Sequence, residues 1–488
     1  MSATEIIILI LGYFAVLISI SFFTSKSDDN ESFFTGRKES PWYIVAFGMI
    51  GASLSGVTFI SVPGAVEEES FSYMQMVLGY FFGYVVISFI LLPLYYRLNL
   101  TSIYGYLYSR LGYFSYKTGA VGFLISRTIG AAFRLFLVAN VLQWLVFDQY
   151  DIPYWLTVTL TILLIWIYTF RSGIKTIIWT DTLQTVFMLV AVGVTLYYVS
   201  GALQLNSFPA ISQTVFDSKM SQIFFFEDIN DSKFFIKNFL SGMFITITMT
   251  GLDQDMMQKN LSCKNIKEAQ KNMLSFSVIL IFVNLIFLIL GFLLTQYAQQ
   301  NGLDFHKDKL FPMIAMLPQI GKITSAFFIL GLIAAAYSSA DSALTSLTTS
   351  FSIDILEIEN KENAKKLRKI VHIGFSILLV VIILIFKEVF KDESVIWELF
   401  KAAGYTYGPL LGMYTFGLFT KWKIKDQWVP VIAILAPSIS YIIKYFADQN
   451  GHEIGFEILV YNGLLTFLGL LLIIRRKKKR VNVMDIGS

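Results

Sequence analysis

The chain is 488 residues long, 55% hydrophobic and 15% charged, with 38 Lys and Arg against 34 Asp and Glu and a mean hydropathy of +0.63. That balance excludes a soluble globular enzyme and describes a polypeptide that crosses a bilayer many times. One cysteine, Cys263, and three scattered histidines, His306, His372 and His452, leave no intramolecular disulfide, thiolate cluster or histidine metal centre to build.

Apolar runs long enough to span recur about thirteen times: 4–24, 41–63, 73–96, 118–147, 153–170, 175–203, 235–258, 271–297, 322–350, 367–388, 394–420, 427–447 and 454–475. The first run, Ile6 to Phe23, has no basic stretch ahead of it and no small-residue cleavage site after it. It reads as a retained span rather than a signal peptide. The loops alternate in charge. Basic ones hold Lys26, Arg37 and Lys38; Arg97, Arg110 and Lys117; Arg171 and Lys175; Lys259, Lys264 and Lys267; Lys361 to Lys369; and Lys421, Lys423 and Lys425. The opposite loops carry Glu67 to Glu69, Asp148 and Asp151, Glu227 to Asp231, and Asp392 with Glu393. The positive-inside rule places the N-terminus outside and the C-terminus in the cytoplasm of an inner (plasma) membrane, as an odd number of spans requires. The terminal run Arg475 to Arg480 is then a topology anchor and not a nucleic-acid contact. The longest loop, 204–234, lies outside and suits a short surface helix or lid.

The second span reads Gly48-Met49-Ile50-Gly51-Ala52-Ser53-Leu54-Ser55-Gly56-Val57-Thr58. So many glycines and serines weaken a helix, and a break in lipid is tolerated where freed carbonyls line a cavity. On that reading the carbonyls of Gly51 and Leu54 face a cation, and Ser55 and Thr58 face a solute. The alternative is a close-packed glycine helix. Gln75, opening the third span, is either a solute contact or a rim residue. Arg127 and Arg134 lie seven apart in the fourth span and share a face. Each either pairs with an acid of a neighbouring helix or clamps a substrate carboxylate. Asp181 sits one turn into the sixth span, as an interfacial cap or a cation ligand. The seventh span ends Thr250-Gly251-Leu252-Asp253-Gln254-Asp255, a second glycine interruption at the matching place in a second half of the chain. Such pairs point to a carrier's binding site. Asp253 and Gln254 bind solute, close the inner side, or merely end the helix beside Lys259. The ninth span carries Ala335-Ala336-Tyr337-Ser338-Ser339-Ala340-Asp341-Ser342. Ala335, Ser338, Ser339 and Ser342 share one face, bordered by Asp341. Hydroxyls and a carboxylate at that depth suit a hard cation.

These motifs together resemble the sodium:solute symporter family, relatives of bacterial sugar, sialic acid and proline carriers. The resemblance rests on the serine-rich stretch 335–342, on Ser55 to Gly64, Thr101 to Gly112, Trp179 to Gln184, Asp253-Gln254 with Gln258, and Gly408 to Gly412. It implies an all-α, LeuT-like fold in one transport domain over 1–488: an extra helix at 4–24, inverted five-helix repeats at 41–203 and 235–420, two further helices within 427–475, and a tail at 476–488. It also implies a main sodium site of Gly51, Leu54, Ala335, Ser338 and Ser339. A second site, present in some members, would be Asp181, Ser338, Asp341 and Ser342. Some relatives have serine where this chain has Asp341. Val57 and Thr58 disfavour a galactose-type site. Ser55 and Thr58 resemble sialic acid carriers, which also use an arginine in the third core helix.

The expected activity is therefore sodium-driven import of a small organic solute, a sialic acid or other carboxylated sugar favoured. The candidate solute contacts are Ser55, Thr58, Gln75, Arg127, Arg134, Asp253 and Gln254. Sodium is the coupling ion, the bilayer and the solute are the only partners expected, and the unit is a monomer. A proton-coupled carrier of the same fold and a solute sensor are the rival readings. A channel lacks its continuous polar stripe, and an enzyme lacks a metal set or an activated nucleophile.

Overall fold

The computed structural model describes residues 1–24, 30–169, 174–358, 361–390, 395–452 and 454–475. Among them the fold is helical, and extended pairing is limited to two isolated bridges, Ser40 with Cys263 and Ile424 with Ile474. In chain order the principal helices are α1 (Ala3–Thr24), α2 (Trp42–Ser53), α3 (Gly56–Glu69), α4 (Tyr73–Arg97), α5 (Tyr113–Leu145), α6 (Tyr154–Thr169), α7 (Ile174–Ala202), α8 (Phe235–Gly251), α9 (Gln254–Leu261), α10 (Ile266–Gln300), α11 (Lys322–Ile355), α12 (Ala364–Val389), α13 (Val395–Phe419), α14 (Val429–Gln449) and α15 (Ile458–Leu472).

Eight of these are long and apolar enough to cross a membrane, and up to ten spans result if the bent pairs α2–α3 and α8–α9 each count as one. The pairs bend by 55° and 64°. Burial sorts the helices: 78% of the apolar window of α11 is buried against only 17% in α14. The serine-rich helix is thus a central post, and α14 is peripheral. Outward faces carry Phe89, Phe282, Ile377 and Ile434, as lipid contact requires.

Two helices begin earlier than hydropathy alone suggests, each because polar atoms hold the first turn. In α5 the backbone N–H groups of Phe114 and Ser115 donate to the Asp426 carboxylate at 2.7 and 2.9 Å, so the helix starts at Tyr113 rather than 118. In α10 the Asn265 side chain accepts from the Glu268 N–H at 3.0 Å, and the helix extends over 266–300. The loop 204–234 does contain a short helix, Phe208–Phe216, capped by Ser207. Of the charges used to orient the chain, Lys26, Arg171, Asp392, Glu393 and the run from Arg476 lie outside the described residues, as does the position of the Lys175 side chain.

The C-terminal end of α3 is tied to the loop after α10. His306 lies 2.8 Å from Glu67 and 2.9 Å from Asp304. Hydrogen bonds to these carboxylates hold the exposed imidazole above its ordinary pKa.

Candidate binding site

The break between α2 and α3 falls at Leu54 and Ser55. The helix ladder ends with the Leu54 N–H donating to the Ile50 carbonyl at 2.8 Å and restarts with the Phe59 N–H to the Ser55 carbonyl at 3.0 Å. Leu54 (φ −80°, ψ 63°) and Ser55 (φ −58°, ψ 171°) leave the helical region between them. Gly51 is still inside α2, so the unwinding starts later than its glycine suggests. Gly51 instead packs on α7. Its N–H donates to Thr185 Oγ1 at 3.0 Å, and a Cβ there would lie 2.3 Å from that oxygen. The close-packed and broken readings both apply, to different ends of the segment. Immediately past the break, a Cβ on Gly56 would stand 3.7 Å from the Ala336 backbone. The unwound stretch therefore lies against the serine-rich post.

On α11 the hydroxyls point inward. Ser338, Ser339, Asp341 and Ser342 are all buried, at 0 to 1% exposure. Ser338 Oγ donates to Asp181 Oδ1 at 2.6 Å. Ser339 Oγ and Ser342 Oγ have no hydrogen-bond partner among the described residues. A buried hydroxyl left without a partner is costly, and a cation bound there would relieve it. Asp341 Oδ1 accepts from the Ser342 N–H at 2.6 Å. Asp181 is not an interfacial cap: it is fully buried, with Lys259 Nζ 2.8 Å from Oδ2.

A cavity opens beside the break. Ser53, Leu54, Ser55 and Thr58 line it on one side, Arg127 and Arg134 of α5 on another, and Thr246, Thr250 and Asn284 on a third. Tyr73, Tyr80 and Tyr84 form an aromatic wall. The tyrosines and Asn284 were not singled out from the sequence. An amide in the middle of the apolar run of α10 was a signal that could have found Asn284.

The two arginines have different roles. Arg127 forms a buried ion pair with Asp255, and its Nη1 lies 3.9 Å from Asp253 Oδ2. It is the structural arginine. Arg134 is 8% exposed, and its Nε and Nη1 find no protein partner among the described residues. It lines the same cavity with part of its fork unused.

Three expected solute contacts turn elsewhere. Gln75 is fully buried and holds the 204–234 loop: its Nε2 donates to the Lys233 carbonyl at 2.8 Å and its Oε1 accepts from the Phe225 N–H at 3.2 Å. Asp253 caps α9, accepting from the Asp255 N–H at 2.9 Å and from the Tyr407 hydroxyl at 2.5 Å. Gln254 bonds the backbone of Thr101 and Ile103 at 2.8 and 3.0 Å. None of the three lines the cavity. The hydroxyls of Tyr95 and Tyr104 donate to the carbonyls of Gly251 and Leu252 at 2.8 and 3.1 Å, and Gln258 reaches the Phe34 carbonyl at 2.7 Å. Together with the Gln254 bonds, these tie the second broken helix to α4, to the Thr101–Gly112 segment and to the Phe34 backbone. Lys259 pairs with Asp181 and not with the helix end at Asp253.

Two apolar spans broken by bends, orphaned hydroxyls on the post packed against the first break and a polar cavity beside it define the class of secondary carriers. The family model of the sodium:solute symporter family matches residues 33–425. The chain belongs to that family. It is a sodium-coupled symporter of a small solute, embedded in a membrane, and not an enzyme. It is 24% identical over 466 residues to the sodium/sialic acid symporter SiaT of Proteus mirabilis, covering 90% of each chain. It is 23% identical over 417 residues to the human sodium-coupled monocarboxylate transporter 2, covering 82% of this chain and 65% of that one. Its fold is similar to the substrate-bound, outward-open structure of a Na+-coupled sialic acid symporter, with a TM-score of 0.79, 21% identity, and coverage of 96% of this chain and 97% of the other.

Proposed function

We propose that this protein imports a carboxylated organic solute, of which a sialic acid is the favoured example, with sodium bound where α2–α3 breaks against α11. One observation carries the solute class: Arg134, buried in the cavity with two guanidinium nitrogens unpartnered among the described residues, faces a site whose other polar groups include Ser55, Thr58, Thr246, Thr250 and Asn284. A planar guanidinium binds a carboxylate through two parallel hydrogen bonds, and hydroxyl and amide groups suit a polyol. The sialic acid symporters and the monocarboxylate transporter among the similar proteins support an acidic solute.

The sodium ligands are the carbonyls of Gly51, Leu54 and Ala335 and the hydroxyls of Ser338 and Ser339. The bent pairs α2–α3 and α8–α9 open two inverted five-helix repeats, 41–203 and 235–420, in a LeuT-like fold of about 13 spans. Helix 4–24 precedes them, two helices follow within 427–475, and 476–488 forms a cytoplasmic tail. The N-terminus faces outward across an inner membrane, and the monomer is the working unit. Sodium bound at the break favours the outward state and raises solute affinity, and solute raises sodium affinity by the same factor.

The experiment is a thermal-shift screen of the purified protein against neutral sugars, sugar acids, amino acids and monocarboxylates, each in sodium and in potassium. N-acetylneuraminate is expected to raise Tm in sodium only. A shift given by neutral sugars and by no acid would reject the solute class.

A further inference from the structure

We propose that the ammonium of Lys259 is the resident cation of the Asp181 pocket, so that this carrier binds one sodium ion where a second oxygen-rich site would otherwise take another. The proposal rests on sodium coupling at the main site and goes beyond it.

The residues that would form the second site are Asp181, Ser338, Asp341 and Ser342. Both oxygens of Asp181 are already engaged: Oδ1 accepts from Ser338 Oγ at 2.6 Å, and Lys259 Nζ stands 2.8 Å from Oδ2. Lys259 is 1% exposed and Asp181 fully buried, so no water competes for either charge. An ammonium is a compact point charge that takes hard oxygens as sodium does. A sodium ion entering the same carboxylate would meet that fixed positive charge at contact distance in a low dielectric. The lysine therefore excludes the ion whose place it holds.

The local charges agree with this assignment. Lys259 balances Asp181, and Arg127 balances Asp255 with Asp253 close by. The lysine also sits on α9, the far half of the second broken helix, while its partner sits on α7. The tether thus ties α9 to α7 through a salt bridge that a free ion would leave open. The cost is in accumulation. With a carboxylate solute, one sodium ion makes the cycle electroneutral and leaves only the sodium gradient to drive it, whereas a second ion would add about fifty-fold accumulation per 100 mV.

The test is equilibrium binding of radioactive sodium to the purified full chain in nanodiscs, without solute. Wild type is expected to bind about one sodium per protein with a Hill slope near one, and Lys259→Gln, which vacates the pocket, about two. The double variant Lys259→Gln with Asp181→Asn removes both charges and should return to about one. Two sodium ions in wild type would overturn the proposal and leave the main site standing, and that count does not depend on any variant folding. A folded Lys259→Gln protein that still binds one would also overturn it. No saturable binding in wild type would overturn the main site, and this assignment with it.

Discussion

Ser339→Ala is expected to weaken sodium binding by about ten- to hundredfold while leaving the sodium-free protein no less stable. The two halves of that result have one cause. Ser339 Oγ is buried and has no partner among the described residues. Without sodium its desolvation is uncompensated, so truncating it to a methyl removes a liability. With sodium it supplies one oxygen ligand, and losing a bond to a charged group costs about 1.5–3 kcal/mol. Melting curves of wild type and variant, each with sodium replaced by potassium, separate the two effects. Sodium should raise the Tm of wild type strongly and of the variant little. Ser338→Ala is the contrasting case, because Ser338 donates to Asp181 and its loss disturbs the Lys259 pair even without sodium.

Arg134→Met should abolish measurable binding of a carboxylated solute, a loss of about a hundredfold or more, without destabilising the empty protein. A buried guanidinium with unused donors is a charge held in readiness, and its removal relieves desolvation. Arg127→Met should do the reverse. It leaves Asp253 and Asp255 buried without their cation, which costs about 3–5 kcal/mol and should show as a large fall in Tm. Arg134→Lys keeps the charge but not the fork, and should bind acids weakly. Isothermal titration with N-acetylneuraminate in sodium, beside Tm in its absence, checks all three. Wild-type affinity in Arg134→Met would dismiss the carboxylate clamp.

Much of the scaffold was legible because bilayer-spanning helices are long apolar runs, and the structured helices lie close to those runs. The break in the second span was legible to within three residues, since glycine and serine weaken a helix wherever they cluster. Its position was not, because Gly51 serves packing against Thr185 while Leu54 and Ser55 do the unwinding. Periodicity put Arg127 and Arg134 on one face but could not divide their roles. The division is made by Asp255, two residues beyond the aspartate that drew notice, arriving from another helix. Gln75, Asp253 and Gln254 have the chemistry of solute contacts, but their partners are backbone groups distant in sequence. Lys259 looked like an inner-face charge because hydropathy reads a lysine at a helix end as solvated. Only tertiary packing buries it against Asp181.

The central claim is that an alkali ion held at the break drives the solute across. It is tested by uptake of radiolabelled N-acetylneuraminate into liposomes containing the purified protein, under an inward sodium gradient or an equal inward potassium gradient at one pH. Accumulation above the outside concentration in sodium alone is the predicted result. Equal accumulation in potassium would contradict the account.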